Sequence, residues 1–317
     1  MSGRERWFAL ALRTYPRRYR TEREDEIMAT LVESAEMAGW TSMAADGLDL
    51  IAQGARMRIG LNADRYGGRV LQLAALPGFV MAAAFAAWLF IFGEVPSRYG
   101  LFHYSPRFGP FQTLGAAVYL VWIIAALGAL VIPRLQRPLA TLCILAAVIS
   151  IPIGDAFFSR PSLEVLVVLV GLGLPCVLAP PPDRLSQANR PVALGVGLVT
   201  LASLVIMKET TSTSYSSFYQ FEMYHLTTFL PYIAALSLVA VCCLLILHKP
   251  DWIGAGAVVL VPLFFVGAGG RAGSALSFNV ADELFVCLIV VWLVVNWARD
   301  LRRPLLSDGT VNGGHPT

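Results

Sequence analysis

The stretch VLQLAALPGFVMAAAFAAWLFIFGE, residues 70–94, decides the fold class of this chain. A helix that crosses a lipid bilayer needs about 20 mostly apolar residues, and this run is long enough. Seven windows of similar character follow it, and Pro, Gly or charged residues separate them. The eight windows are 70–94, 112–133, 138–158, 162–180, 191–207, 228–247, 252–269 and 280–298. The sequence therefore predicts an all-α, polytopic membrane protein with about eight transmembrane helices.

The composition of the whole chain agrees with that prediction. Of its 317 residues, 56% are hydrophobic and 14% are charged, and the mean hydropathy is +0.64. Soluble domains usually carry about 25% charged residues. A globule this apolar could not cover itself with polar surface, so we expect the lipid bilayer to be its main partner. The five cysteines all lie in apolar runs, which predicts small buried hydrophobes rather than disulfides.

Charge is concentrated at the N-terminus. Residues 1–69 hold 11 of the 24 basic and 10 of the 21 acidic residues. With the N-terminus inside, 19 basic residues flank the spans on the cytoplasmic side and 5 on the outer side. Because cytoplasmic flanks collect Lys and Arg, this division predicts a cell-membrane protein with both termini in the cytoplasm. We expect the first span to act as an uncleaved signal anchor, since no secretory signal precedes it.

The segment before the first span reads as three short helices. The first covers about residues 4–13 and ends before Pro16, because the residue preceding a proline disfavours helical geometry. Thr21 with Glu24 resembles a capping box for the second helix. A third, amphipathic helix leads to Ile59. The predicted organisation is a cytoplasmic domain (1–62), a basic linker (63–69), a transmembrane domain (70–298) and a disordered cytoplasmic tail (299–317).

Arginines near the first span are predicted to meet lipid. Arg56, Arg58, Arg65 and Arg69 precede the membrane directly, and juxtamembrane arginines suit the anionic inner leaflet.

Residues 10–31, LALRTYPRRYRTEREDEIMATL, carry a family resemblance. The segment resembles the Leu-x-x-Tyr-Pro-Arg-x-Tyr-Arg motif of actinobacterial multi-pass membrane proteins with an N-terminal helical prefix domain. Such prefix domains precede permease-like regions, some of them associated with ABC transporters. The resemblance covers about the first 60 residues and implies a permease-like or transporter-accessory membrane component.

Acidic residues near the span ends form one candidate site. Asp155, Glu164, Asp282 and Glu283 all fall at the outer face in the predicted topology. Ionisable residues in membrane segments are functional candidates by default, here an outer vestibule for a cation or a basic group. Helix capping is the alternative, because acids near a helix N-terminus interact favourably with its dipole.

The N-terminal domain carries the second candidate site, a surface for a soluble protein. Aromatic and charged residues alternate densely after the first helix, and acids on such a surface would be repelled by anionic lipid. Charge complementarity with a protein partner sets specificity more than affinity. The candidate partner-binding residues are Trp7, Tyr15, Arg17, Arg18, Tyr19, Arg20, Glu24 and Glu26.

The motifs of common enzymes are missing from the sequence. It contains no Walker A motif, so an ATPase would have to be a separate subunit. Its four histidines lack H-E-x-x-H spacing, and no G-x-S-x-G occurs. We expect no catalytic residue, no metal, no cofactor and no nucleic-acid partner, and a homo-oligomer is left open.

The sequence therefore predicts a non-enzymatic membrane component whose N-terminal domain binds an ATPase subunit or a regulator. The alternatives are a self-contained secondary transporter or channel, and a membrane-bound regulator that sequesters a cytoplasmic factor.

Overall fold

The structure is a computed structural model, and it describes residues 3–37, 40–94, 108, 110–111, 113–157, 161, 163–180, 189–210, 251–259, 291 and 294–299. The described part is all-helical and contains no strand, apart from an isolated bridge between Phe108 and Phe111. The predicted all-α class is confirmed for these residues. Two regions follow each other along the chain, a small N-terminal helical domain and a helical bundle.

Three helices build the N-terminal domain: α1 (Gly3–Leu12), α2 (Arg17–Met37) and α3 (Trp40–Arg58). α2 begins four residues before the predicted cap at Thr21, which lies inside the helix. The cause is Pro16, because a proline ring holds its backbone near helical geometry at a helix start. The Pro16 carbonyl accepts the N–H of Arg20 at 3.2 Å, the first hydrogen bond of this helix. The capping-box prediction was therefore wrong.

The core of this domain is small and aromatic. Phe8, Leu12 and Tyr15 are almost fully buried; Leu50 of α3 packs with Leu12 and Tyr15, and Met28 of α2 packs against Phe8. A Cβ added to Gly47 would collide with the Trp7 indole ring, so α1 and α3 approach closely at this position.

A glycine turn ends the domain. Gly60 has a positive φ of 71°, which glycine adopts without steric cost. The Leu61 N–H donates to the Arg56 carbonyl at 2.8 Å, and the Gly60 N–H donates to the Met57 carbonyl at 3.3 Å. This pair of bonds is a Schellman motif, which satisfies the last carbonyls of α3. The chain then turns into the bundle after only a few residues.

The bundle contains α4 (Tyr66–Leu89), which continues as a π-helical turn (Phe90–Glu94), α5 (Gly115–Val131), α6 (Gln136–Phe157), α7 (Leu163–Leu178) and α8 (Arg190–Thr210). Helical segments at 251–259 and 294–299 are also described. α4 is central, since it packs against α5, α7 and α8. A Cβ on Gly78 of α4 would lie 2.9 Å from the Leu172 carbonyl oxygen, so glycine permits this close contact with α7.

Two helices of the described part are long and apolar enough to cross a membrane. They are Tyr66–Glu94 with 29 residues and Pro133–Gly154 with 22 residues. Three predicted windows correspond to the shorter apolar helices Gly115–Val131, Val165–Leu178 and Arg190–Val205. The window 228–247 lies outside the described residues, and 252–269 and 280–298 are described only in part. The structure therefore supports membrane association through two helices.

Apolar side chains cover the outer surface of the bundle. Ile124 on α5 is 67% exposed, Leu145 on α6 is 51% exposed and Leu198 on α8 is 67% exposed. Polar side chains lie inside the same bundle, among them Gln72, Glu94, Thr113, Gln136 and Ser150. The interior of the bundle is mostly apolar and holds these few polar side chains, while many of its exposed side chains are apolar as well.

Candidate functional sites

The outward surface of α2 is charged and accessible. Arg17, Glu24 and Glu26, three of the predicted partner-binding residues, are exposed. Arg23 and Ala29 on the same helix are exposed as well. We call the exposed residues Arg17, Arg23, Glu24, Glu26 and Ala29 the α2 surface. Both signs of charge are interspersed on it, which suits a protein partner with complementary charges.

The other predicted partner-binding residues are less accessible, or their side chains lie outside the described part of the chain. Tyr15 is 2% exposed, and its ring stacks on Tyr19 with centroids 5.2 Å apart and planes 19° apart. Trp7 and Arg20 are half-buried. Arg18 lies on α2, but its side chain is outside the described part of the chain. The aromatic members of the predicted set therefore build the domain, and charged members form its surface.

The environment of Tyr15 keeps its hydroxyl neutral. Burial, with smaller contributions from the neighbouring Tyr19 and Asp49, raises the pKa of Tyr15 to about 12, and Arg56 opposes the shift. The side chain therefore remains uncharged at any physiological pH and acts as a packing residue.

The juxtamembrane arginines have protein partners. Arg58 donates from Nη2 to the carbonyl oxygens of Arg13, at 2.5 Å, and Tyr15, at 3.4 Å. Arg56 is 9% exposed and its Nη2 lies 3.8 Å from an Asp49 carboxylate oxygen. The arginines predicted to meet lipid thus include two with partners inside the domain, and Arg58 connects the end of α3 to the end of α1.

Contacts between distant parts of the chain attach the domain to the bundle. Arg69 donates from Nε to the Asp251 carboxylate at 3.1 Å, which joins the start of α4 to segment 251–259. The Trp297 indole N–H donates to the Ile59 carbonyl at 2.8 Å, although 238 residues separate them. The end of α3, the start of α4 and the segments at 251–259 and 294–299 therefore meet at one end of the bundle, which we call the domain end.

A polar bridge crosses three helices at the same end. The Gln136 side-chain amide donates to Cys176 Sγ at 3.2 Å, and that thiol donates to the Ala75 carbonyl at 2.8 Å. The Arg137 guanidinium donates to the Ala179 carbonyl. Gln72 and Pro180 complete the lining of a cleft of about 240 Å³, counted with its open mouth. The bridge ties α6 and α7 to α4.

The opposite end contains part of the predicted vestibule. Asp155 lies in the last turn of α6 and Glu164 is the second residue of α7. The position of Glu164 fits the capping alternative, since its acid lies at a helix N-terminus, whereas that of Asp155 does not. Their side chains, and all of Asp282 and Glu283, lie outside the described residues. The structure does not bring the four acids together within its described part.

A buried acid that sequence reasoning missed lies at this far end. Glu94 is 0% exposed, and its carboxylate accepts the backbone N–H of Thr113 at 2.8 Å and the Thr113 hydroxyl. A Cβ on Gly115 would lie 2.5 Å from Glu94 Oε1 and 3.0 Å from Pro161 Cγ. We call Glu94, Thr113 and Gly115 the far-end clasp. The available signal was a carboxylate at the edge of a long apolar run.

The described residues contain no group of three or more His, Cys, Asp or Glu side chains that could hold a metal ion. Comparison of the chain with models of known families, with curated proteins and with solved structures finds no match. The functional conclusion below therefore depends on the geometry and on the sequence.

Proposed function

We propose that the protein is a multi-pass integral membrane component, permease-like or accessory to a transporter, whose N-terminal domain docks a soluble cytoplasmic protein. The α2 surface is the observation that carries this proposal. Its arginines and glutamates are exposed, while the aromatic residues beside them hold the domain together. A surface of mixed charge that is not used for folding is well suited to select a partner.

The exposed apolar surface of the bundle supports the membrane part of the proposal. A soluble core helix would hide its apolar residues, but in the α6 span only 28% of the apolar window is buried. Monomeric soluble proteins rarely expose large contiguous apolar patches. Lipid tails are the environment that this surface fits.

Contacts between helix ends support the proposed alternation of spans. The residues of these contacts lie in predicted cytoplasmic flanks (Arg69, Arg137 and Asp251) or at the cytoplasmic ends of predicted spans (Ala179 and Trp297), and they gather at the domain end. At the far end, Glu94 contacts Thr113, and Pro161 lies beside Gly115. The predicted topology assigns these residues to the outer side. The proposal therefore keeps both termini in the cytoplasm and leaves catalysis to a partner.

Charge reversal on the α2 surface tests the docking. The full chain, solubilised in mild detergent, is captured together with its bound proteins, and Arg17→Glu/Glu24→Arg/Glu26→Arg is compared with it. We expect an ATPase subunit or a transcription regulator with the unaltered chain, and a loss of at least about tenfold with the triple variant, equivalent to about 1.4 kcal/mol.

Gln53→Lys, at an exposed position on α3, is the matched control and should leave recovery unchanged. Equal recovery with the triple variant and with the control would refute docking through the α2 surface.

The far-end clasp favours a second candidate, a self-contained secondary transporter. Buried carboxylates in membrane bundles mark ion paths, and Glu94 is fully buried. Under this alternative, Glu94→Gln abolishes substrate uptake into vesicles while the membrane abundance of the chain stays the same. Under the docking proposal, that variant leaves partner capture intact.

A further inference from the structure

The N-terminal domain exposes a second surface that differs in charge from the α2 surface. Arg6 and Leu10 lie on one side of α1 at i, i+4 spacing, and Arg13 follows in the turn after the helix, where its N–H donates to the Leu10 carbonyl at 3.1 Å. All three are exposed, and Leu10 is 55% exposed although the opposite side of α1 is buried. Arg58 and Ile59, the latter 45% exposed, adjoin Arg13. We call these five residues the junction patch.

The position of the junction patch is fixed by hydrogen bonds. The Arg58 side chain binds the Arg13 carbonyl, so the end of α1 lies against the end of α3. The Ile59 carbonyl accepts the Trp297 indole N–H. α4, the first membrane-spanning helix of the proposal, begins at Tyr66, a few residues later. The patch therefore lies where the domain meets the level of the lipid headgroups.

Charge and hydrophobicity decide what covers this patch. It presents three arginines and two aliphatic side chains. Glu5 precedes Arg6 in the sequence, and among the side chains that the structure describes Asp64 in the linker is the nearest exposed acid along the chain. Basic residues with a few apolar side chains are typical of surfaces that rest on anionic membranes. The exposed acids of α2, Glu24 and Glu26, are on a different helix. The repulsion that argued against lipid contact for the domain as a whole does not apply to the patch.

We infer that the junction patch rests on anionic lipid headgroups of the membrane that the chain itself spans. Leu10 and Ile59 enter the headgroup layer, and Arg6 and Arg13 pair with lipid phosphates. This contact turns the α2 surface away from the membrane and towards the cytoplasm. The inference depends on the proposed membrane insertion, and it adds an orientation to the proposed docking.

The test measures contact between residue 10 and lipid headgroups in the full chain. Leu10→Cys is labelled with a fluorophore, and the chain is reconstituted in nanodiscs that contain spin-labelled headgroups as quencher. The discs consist of phosphatidylcholine with or without phosphatidylglycerol. Ala29→Cys on the α2 surface is the matched control, and the chain with native cysteines alone is the labelling blank. Both faces of a nanodisc are accessible, so the result does not depend on orientation in the cell.

We expect strong quenching at residue 10 in anionic discs, weak quenching in phosphatidylcholine discs, and little at residue 29 in either. Raising the salt from about 0.1 M to about 1 M shortens the Debye length from about 10 Å to about 3 Å and should weaken the contact. Arg6→Gln/Arg13→Gln should lower the affinity for anionic headgroups by about fivefold per arginine, and the matching Lys variants should retain it.

Equal quenching at residues 10 and 29, or quenching at residue 10 that is independent of lipid charge and salt, would overturn the inference. Protection of residue 10 by an added acidic protein, without quenching by lipid, would assign the patch to a protein instead. Failure of the docking proposal gives a different result, because it removes the captured partner while residue 10 is still quenched.

Discussion

In the N-terminal domain the described exposed side chains are mostly polar or charged and the core contains several aromatic rings, whereas in the bundle the described exposed side chains are mostly apolar and several buried ones are polar. Glu24 is exposed on α2, but Glu94 is fully buried in the bundle. Phe8 is buried in the domain, but Leu145 is half exposed on α6. The two regions thus both have apolar cores and differ mainly in what they expose.

The proposed membrane insertion accounts for this difference, because it gives the two regions two different solvents. In water the burial of apolar surface is favourable, which explains the apolar core of the N-terminal domain. In lipid, apolar groups gain no comparable free energy by burial, so helices associate through close packing and internal polar contacts. The contact of Gly78 with the Leu172 carbonyl and the Gln136–Cys176–Ala75 bridge are contacts of this kind.

The largest expected effect comes from the core of the domain. Phe8→Ala removes a fully buried ring that packs against Trp7 and Met28, and such truncations cost about 3–5 kcal/mol. Because a domain this small has little stability to lose, we expect it to unfold while the bundle stays intact. Limited proteolysis of membranes should then cleave within residues 3–58 only.

Leu10→Ala is the control for that change, since Leu10 is exposed, and its protease pattern should be unaltered. Proteolysis of the bundle itself in the Phe8→Ala variant would show that the two regions do not fold separately.

A charge on the outer surface of the bundle should have the next largest effect. Leu145 lies near the middle of α6 and is 51% exposed. Facing lipid, Leu145→Arg costs about 2.5–3.5 kcal/mol, while exposed substitutions in water usually stay within about 0.5 kcal/mol. Membrane yield should fall for Leu145→Arg and stay constant for Ala29→Arg, measured by fluorescence-detected gel filtration. A normal yield of Leu145→Arg would place this surface in water.

The attachment between the two regions gives the smallest effect. Trp297→Phe keeps the ring but removes the hydrogen bond to the Ile59 carbonyl, a loss of about 0.5–1.5 kcal/mol. We expect faster protease cleavage in the linker 60–65 without any loss of membrane yield. An unchanged cleavage rate would mean that other contacts, such as that of the Arg69 guanidinium with the Asp64 carbonyl, hold the linker in place.

Local patterns predicted much of the fold. The three helices of the domain, the class of the bundle and five of the apolar windows correspond to described helices, because these features depend on periodicity over neighbouring residues. The start of α2 was missed, since Pro16 outweighed a good capping box at Thr21. The apolar windows of the sequence could not show that α4 lies in the centre of the bundle.

Contacts between distant residues were beyond sequence reasoning. The far-end clasp joins Glu94 to Thr113 across a loop, and Trp297 reaches Ile59 across most of the chain. No periodicity relates such pairs. The same limit explains why the predicted partner-binding set contains both packing residues and surface residues. Only the packing shows that Tyr15 and Tyr19 stack within the domain while Glu24 and Glu26 face outward.

The contrast between two solvents is tested most directly by spin labels at Leu145→Cys and Ala29→Cys in the reconstituted full chain. Collision with lipid-soluble oxygen and with a water-soluble nickel chelate is measured at each label. We expect residue 145 to be accessible to oxygen and protected from nickel, and residue 29 to show the reverse. Equal access of nickel to both labels would contradict the membrane-embedded bundle on which the whole account depends.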